Sequence, residues 1–133
     1  MNNLKIGLQL TKDYNKFCNF KSILLNNVCK TLDLEIVFIN SDCLLKQVIP
    51  ELDILATYRL KESTFNYASK KLKWIHFGAA GIEHSLFPQI INSKVIITNA
   101  SGIHALPVSE FAIGMILFMA KQFRGCEIFK KDF

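Results

Sequence analysis

The apolar positions fall in short blocks whose period switches back and forth along the chain. Residues 5–10, 34–40, 52–58, 72–77 and 95–98 are runs of branched, aromatic and leucine side chains of strand length, a composition that suits a pleated, largely covered surface. Between the runs the spacing turns helical. In 14–32, Tyr14, Phe17, Cys18, Leu24, Leu25 and Val28 fall near one face, predicting an amphipathic helix with Cys18 and Cys29 as small buried hydrophobes. Ser41 and Asp42 can cap a short helix through about Ile49. Residues 62–71 read as a helix, although Thr64, Phe65 and Tyr67 favour it weakly. A short helical segment is predicted at 82–87, and a long helix starts near Pro107. The order βαβαβαβαβα predicts an α/β fold, a parallel sheet with helices on both faces.

The last helix differs from the others. From Phe111 to Ala120 it is apolar on every face, the pattern of a helix covered all round. At ~1.5–3 kcal/mol for each large side chain fully buried, covering it is worth on the order of 10 kcal/mol or more. A helix at the edge of one small sheet can bury only one side, so a second body is expected against the other.

Composition narrows the class. In 133 residues, half are hydrophobic and eleven are Phe, enough for one domain with a sizeable core. The net charge of +5 comes mostly from lysines scattered along the chain, the arginines being Arg59 and Arg124. A nucleic-acid surface wants a concentrated basic stripe with accessible aromatics; the one cluster, Lys70, Lys71 and Lys73, reads as a solvated helix end. Cys18, Cys29, Cys43 and Cys126 share no ligand spacing with one another or with His76, His84 and His104, so no metal site is expected. Free thiols and the lack of a signal peptide point to the cytoplasm. The longest apolar run is about half the ~20 residues of a membrane span, so no membrane partner is expected.

The candidate chemistry lies where two strands open into polar loops. Residues 72–77 run directly into Gly78, Ala79, Ala80 and Gly81. A tight small-residue turn between strand and helix leaves backbone N–H groups facing one concavity, with the positive end of the helix dipole behind them. That is a seat for an anion; the plainer reading is a turn that lets helix and sheet pack closely. The strand at 95–98 delivers a second polar loop, Asn99 to His104 in sequence. Ends of adjacent strands are where an open α/β sheet holds its ligand. His76 reads as a satisfied interior histidine and His84 as surface. Glu110 gains from the dipole in the first turn of its helix.

Two segments, LKWIHFGAAGIEH and VIITNASGIHALPVSEFAIGMIL, together with the distance between them, resemble the N-terminal part of the D-isomer-specific 2-hydroxyacid dehydrogenases. The resemblance implies a flavodoxin-like substrate domain over 1–103. It also implies an interdomain crossing helix over 104–133, leading into a Rossmann nucleotide-binding domain that this sequence lacks. The family's V-x-E start of that helix is present as Val108-Ser109-Glu110, followed by Phe111 where relatives often have His. Main-chain N–H groups at Ala79, Ala80 and Gly81 would hold the carboxylate of a small 2-oxo or 2-hydroxy acid such as glyoxylate or hydroxypyruvate. His104 would touch substrate as it does in some relatives, or serve only to pack its loop. Arg59, after the third strand, would face the same cleft or remain a solvated charge.

The complete enzyme would use NAD or NADP, and the family is usually homodimeric. The glycines at 7, 78, 81, 102, 114 and 125 contain no G-x-G-x-x-G, and the family's catalytic Arg, Glu and His lie further downstream. The chain therefore reads as a truncated portion that carries no catalytic residue, binds no cofactor by itself and turns over no substrate. The rival reading is a non-enzymatic flavodoxin-like module for a small anion or a protein partner. It predicts a soluble monomer whose last helix is satisfied by its own sheet. The fragment reading predicts an apolar patch along 111–123 instead. A corepressor-type relative is a third reading.

Overall fold

The computed structural model describes residues 3–28, 32–123 and 125. The apolar runs form five strands: β1 (Asn3–Gln9), β2 (Asp33–Phe38), β3 (Ile54–Thr57), β4 (Trp74–Phe77) and β5 (Ile96–Asn99). All neighbours pair in parallel in the order β2-β1-β3-β4-β5. The helices are α1 (Tyr14–Asn27), α2 (Asp42–Val48), α3 (Glu62–Phe65), α4 (Pro88–Ile91) and α5 (Ala105–Ala120). The chain divides into two compact units between Ala100 and Ser101.

In the first unit, alternation along each strand sends side chains to opposite faces. Leu55, Ile75 and Phe77 lie on one face, fully buried with Ile39, Leu45, Ile49, Leu52, Leu60 and Ile90. This core is closed by α2, α3 and α4. Gly7 sits on the same face because a Cβ there would come within 2.6 Å of Leu52 Cδ1 and 2.8 Å of Ile39 Cδ1. The opposite face carries Ile6, Leu8 and Ala56 against Phe17 of α1. Tyr14, Phe17 and Phe38 stack there, with centroids 4.8–5.7 Å apart.

Caps account for the helix starts. Asp13 accepts from the N–H groups of Asn15 and Lys16 ahead of α1, and Ser41 accepts from Leu44 N–H ahead of α2. Both follow the geometry in which a short polar side chain replaces a missing backbone acceptor.

Several expectations are corrected. The first helix ends at Asn27 rather than Leu32, with Asn27 Nδ2 donating to Ile23 O. Cys18 is exposed, because its neighbour Phe17 takes the inward position on the helix; Cys29 and Cys126 lie outside the described residues. The helix expected over 62–71 is a single turn, α3. Tight bonds of Tyr67 N–H to Thr64 O and of Ala68 N–H to Phe65 O follow it, and the Ser69 hydroxyl donates to Pro50 O, 19 residues away. β2 is an edge strand, so its apolar run is half-buried rather than fully covered.

The second unit is built on α5. Gly102, at φ +89°, makes the turn before it, a conformation glycine adopts without Cβ strain. Pro107 lies within the first turn, where its missing N–H costs no bond. None of the residues of α5 is buried; Leu106, Phe111 and Met119 are about 70% exposed. Among the described residues, no helix is long and apolar enough to cross a membrane.

Candidate functional site

β4 delivers the small-residue loop to the carboxyl edge of the sheet. Its first peptide is fixed by Gly78 N–H donating to Thr57 O at 2.9 Å. The carbonyls of the next two residues are also held: Ala100 N–H donates to Ala79 O at 3.2 Å, and Asn99 Nδ2 donates to Ala80 O at 2.7 Å. The loops after β4 and β5 are thereby stitched together. The N–H groups of Ala79, Ala80 and Gly81 donate to no group among the described residues. The carbonyls of the Ala79–Ala80 and Ala80–Gly81 peptides are thus held, while three consecutive N–H groups are left without an acceptor among the described residues.

Two features differ from the sequence expectation. The segment behind the loop, expected to be helical over 82–87, is a 3-10 turn of three residues, Glu83–Ser85. One turn supplies little dipole, so the amides themselves must hold an anion. In addition, Glu83 brings a carboxylate against the loop, its Oε2 3.1 Å from where a Cβ on Gly81 would stand. That charge opposes an anion at the seat.

Tyr58 roofs the start of the loop. A Cβ on Gly78 would lie 2.9 Å from Tyr58 Cε1 and 3.1 Å from Leu10 Cδ2, so only glycine admits the ring at this distance. The sheet edge beside Tyr58 carries an open recess of about 570 Å³ at the ends of β2, β1 and β3. Arg59 lies on its wall, together with Lys12, Asp42 and Gln9. The lining includes none of Ala79, Ala80 or Gly81, but Tyr58, which precedes Arg59, links this lining to the loop after β4 through its contact with Gly78. His104 belongs to the second unit, at the residue before α5, and makes no side-chain cap to that helix.

The floor of the recess is tied by hydrogen bonds. The buried Thr57 hydroxyl stands within donating distance of Gln9 Oε1 at 2.9 Å and Arg59 O at 3.0 Å and accepts from Arg59 N–H, and Gln9 Nε2 donates to Asp42 Oδ1. Lys61 Nζ lies 2.7 Å from Asp42 Oδ2 and holds that carboxyl below the usual carboxylate range, with the Gln9 bond assisting. Sequence reasoning missed this recess. Its signal was the polar residue set closing each strand: Gln9 at the end of β1 with Thr11 and Lys12 after it, and Asn40, Ser41 and Asp42 after β2.

His76 is half-buried on β4. Its Nδ1 is 2.9 Å from Thr98 Oγ1, which also accepts from Trp74 Nε1; His84 is exposed. Among the described residues no group of three His, Cys, Asp or Glu side chains could hold a metal ion. Nor do the residues near the loop fit a dinucleotide. The close glycines approach a tyrosine ring and a carboxylate, where a pyrophosphate would need open backbone and positive charge.

A five-stranded parallel sheet in this order, with α1 on one face and α2, α3 and α4 on the other, is a flavodoxin-like α/β domain. Among solved structures, the PH0520 protein from Pyrococcus horikoshii OT3 superposes on it with a TM-score of 0.65 at 22% sequence identity. The match covers 99% of this chain and 38% of that one, so this chain spans little more than a third of its length. The likeness shows the fold. No family model and no curated protein matches the chain.

Proposed function

We propose that this chain is the substrate-domain portion of an NAD(P)-dependent D-2-hydroxyacid dehydrogenase, and that its share of the work is to hold the acid's carboxylate. The observation that carries the reading is the loop after β4. Ala79, Ala80 and Gly81 offer three amides with no partner among the described residues, the last two on peptides whose carbonyls are held by Ala100 and Asn99. A carboxylate accepting two or three backbone N–H bonds is fixed in orientation without a side chain, and charge-assisted bonds of this kind are about twice as strong as neutral ones. The resemblance of residues 72–84 and 95–117 to that family supplies the substrate class, a small 2-oxo or 2-hydroxy acid. The Rossmann domain that would carry nicotinamide, and the residues that would move the proton, belong to a further part of such an enzyme. α5, apolar on every face from Phe111 to Ala120, is the surface that further part would cover.

The chain by itself is expected to bind glyoxylate or hydroxypyruvate and not to reduce it. Expressed together with the reading frame beyond Phe133, it is expected to oxidise NADH or NADPH in the presence of either acid. Turnover by the 133-residue chain alone contradicts the proposal. So does a following frame without G-x-G-x-x-G within a few dozen codons. The alternative, a non-enzymatic anion-binding module, has one observation in its favour: the first unit closes its own core without the second.

A further inference from the structure

The lysines between α3 and β4 lose, in the structure, the role their spacing suggested. α3 ends at Phe65, well before Lys70, so no helix C-terminus lies there to favour a cation. Lys71 turns to Asp53, 3.4 Å away. Lys70 and Lys73 instead line a recess of about 600 Å³, to which the turn before β5 adds Lys94. The recess lies at the amino ends of β4 and β5, the end of the parallel sheet opposite the loop at Ala79, Ala80 and Gly81.

No acid lies in the lining, and none of Lys70, Lys73 and Lys94 has an ion pair among the described residues. Lys73 Nζ donates to Lys70 O at 2.7 Å, which fixes its head beside that peptide and leaves its other N–H donors for an acceptor. Between the lysines the walls are apolar: Phe65, Ala68, Leu72 and Val95. Leu72 is buried, and the Phe65 ring is braced edge-on by Phe87, with centroids 5.5 Å apart. The serines of the lining are spent on the backbone, Ser69 Oγ donating to Pro50 O and Ser93 Oγ to Ile90 O. Like charges gathered at one apolar hollow repel one another unless an anion joins them.

We propose that this recess binds a small organic phosphate, its apolar body seated on Phe65, Leu72 and Val95 and its dianionic group among Lys70, Lys73 and Lys94. The volume is within the range of small-molecule sites, and lysine binds phosphate as a point charge that needs no fixed angle of approach. A nucleic-acid backbone fits less well. It wants a stripe of cations with accessible aromatic faces, whereas this is a single cluster whose one ring, Phe65, is half-buried. The inference does not rest on what the loop at Ala79, Ala80 and Gly81 binds.

The test is an amide-resolved titration of the intact chain with phenyl phosphate, inorganic phosphate and phenol, repeated on Lys70→Gln, Lys73→Gln and Lys94→Gln. Lys71→Gln is the control, because it removes the same charge from outside the lining. All four side chains are exposed, so their replacement leaves the core untouched. Phenyl phosphate is expected to move the amides of 68–73 and 93–95 and to bind about tenfold tighter than either of its halves, as covering a ring beside a held phosphate does. Each substitution in the lining is expected to weaken it about fivefold, the attraction of one charge at contact distance in water. Lys71→Gln leaves it nearly unchanged, since Asp53 already matches that charge. A loss in Lys71→Gln equal to the others overturns the inference, as does phenyl phosphate binding no tighter than inorganic phosphate. Movement confined to the amides of 79–81 overturns it and leaves the carboxylate seat standing. No movement at millimolar phenyl phosphate, or lysine-dependent binding of a short oligothymidylate in its place, also overturns it.

Discussion

Glu83 gives the carboxylate seat its sharpest test, because it is a charge placed where an anion site would least tolerate one. Its Oε2 stands 3.1 Å from the Cβ position of Gly81. An acid accepting from the Ala80 and Gly81 amides would be a close neighbour of that carboxylate, and at a separation of about 5 Å two like charges in water repel by about 0.8 kcal/mol. The separation is shorter than the Debye length of about 10 Å at 0.1 M salt, so screening removes only part of the repulsion. Replacing Glu83 by Gln keeps the shape and deletes the charge. Glyoxylate binding, followed by saturation-transfer spectra of the ligand, is expected to tighten about fourfold in Glu83→Gln. The gain should shrink as salt is raised. An affinity that is unchanged or weaker in the variant would mean that no anion sits beside Gly81, and the reading of the loop would fail.

Other expectations follow from the core, the charges and the second unit. Phe77→Ala removes a fully buried ring from the main core and is expected to cost about 3–5 kcal/mol in urea unfolding; a loss under 1 kcal/mol would contradict the packing described. Asp42 is held below its ordinary range by Lys61, so its contribution is present above the usual carboxylate pKa and lost as pH falls through the lowered value. Both partners are more than half exposed, which limits the pair to about 0.2–1 kcal/mol. Asp42→Asn should therefore flatten the acid limb of the stability–pH curve slightly and leave the neutral region nearly unchanged. The apolar residues exposed on α5 predict dye binding and concentration-dependent light scattering of the isolated chain. Both should fall in Leu106→Gln/Phe111→Gln/Met119→Gln; a monodisperse monomer that binds no dye would instead favour the self-contained module.

The sheet was legible because each strand is a local apolar run: every predicted strand overlaps an observed one, with ends shifted by at most two residues. What failed was local signal overridden by distant contact. Residues 66–71 carry a passable helical pattern, yet Ser69 is bound to Pro50 and the chain turns early. The apolar stretch of β2 suggested a strand covered on both sides, but strand order, which no local pattern contains, places it at the edge. The loop after β4 could be read as an amide-lined turn from Gly78, Ala79, Ala80 and Gly81 alone. The nearness of Glu83 and Tyr58 to it could not, since both depend on the path of the loop. Arg59 could be named a cleft candidate from its place after the third strand, but the recess it shares with Lys12 and Asp42 could not. It is assembled from three loops far apart in sequence, and only the pairing of β1 with both β2 and β3 brings them together.

The most direct test of the account is an amide-resolved proton–nitrogen titration of the chain with glyoxylate. Saturable downfield movement of the Ala79, Ala80 and Gly81 amides is expected, the signature of N–H groups gaining a charged acceptor. Amides at these three positions that stay fixed while the acid binds elsewhere, or while it fails to bind at all, would contradict it.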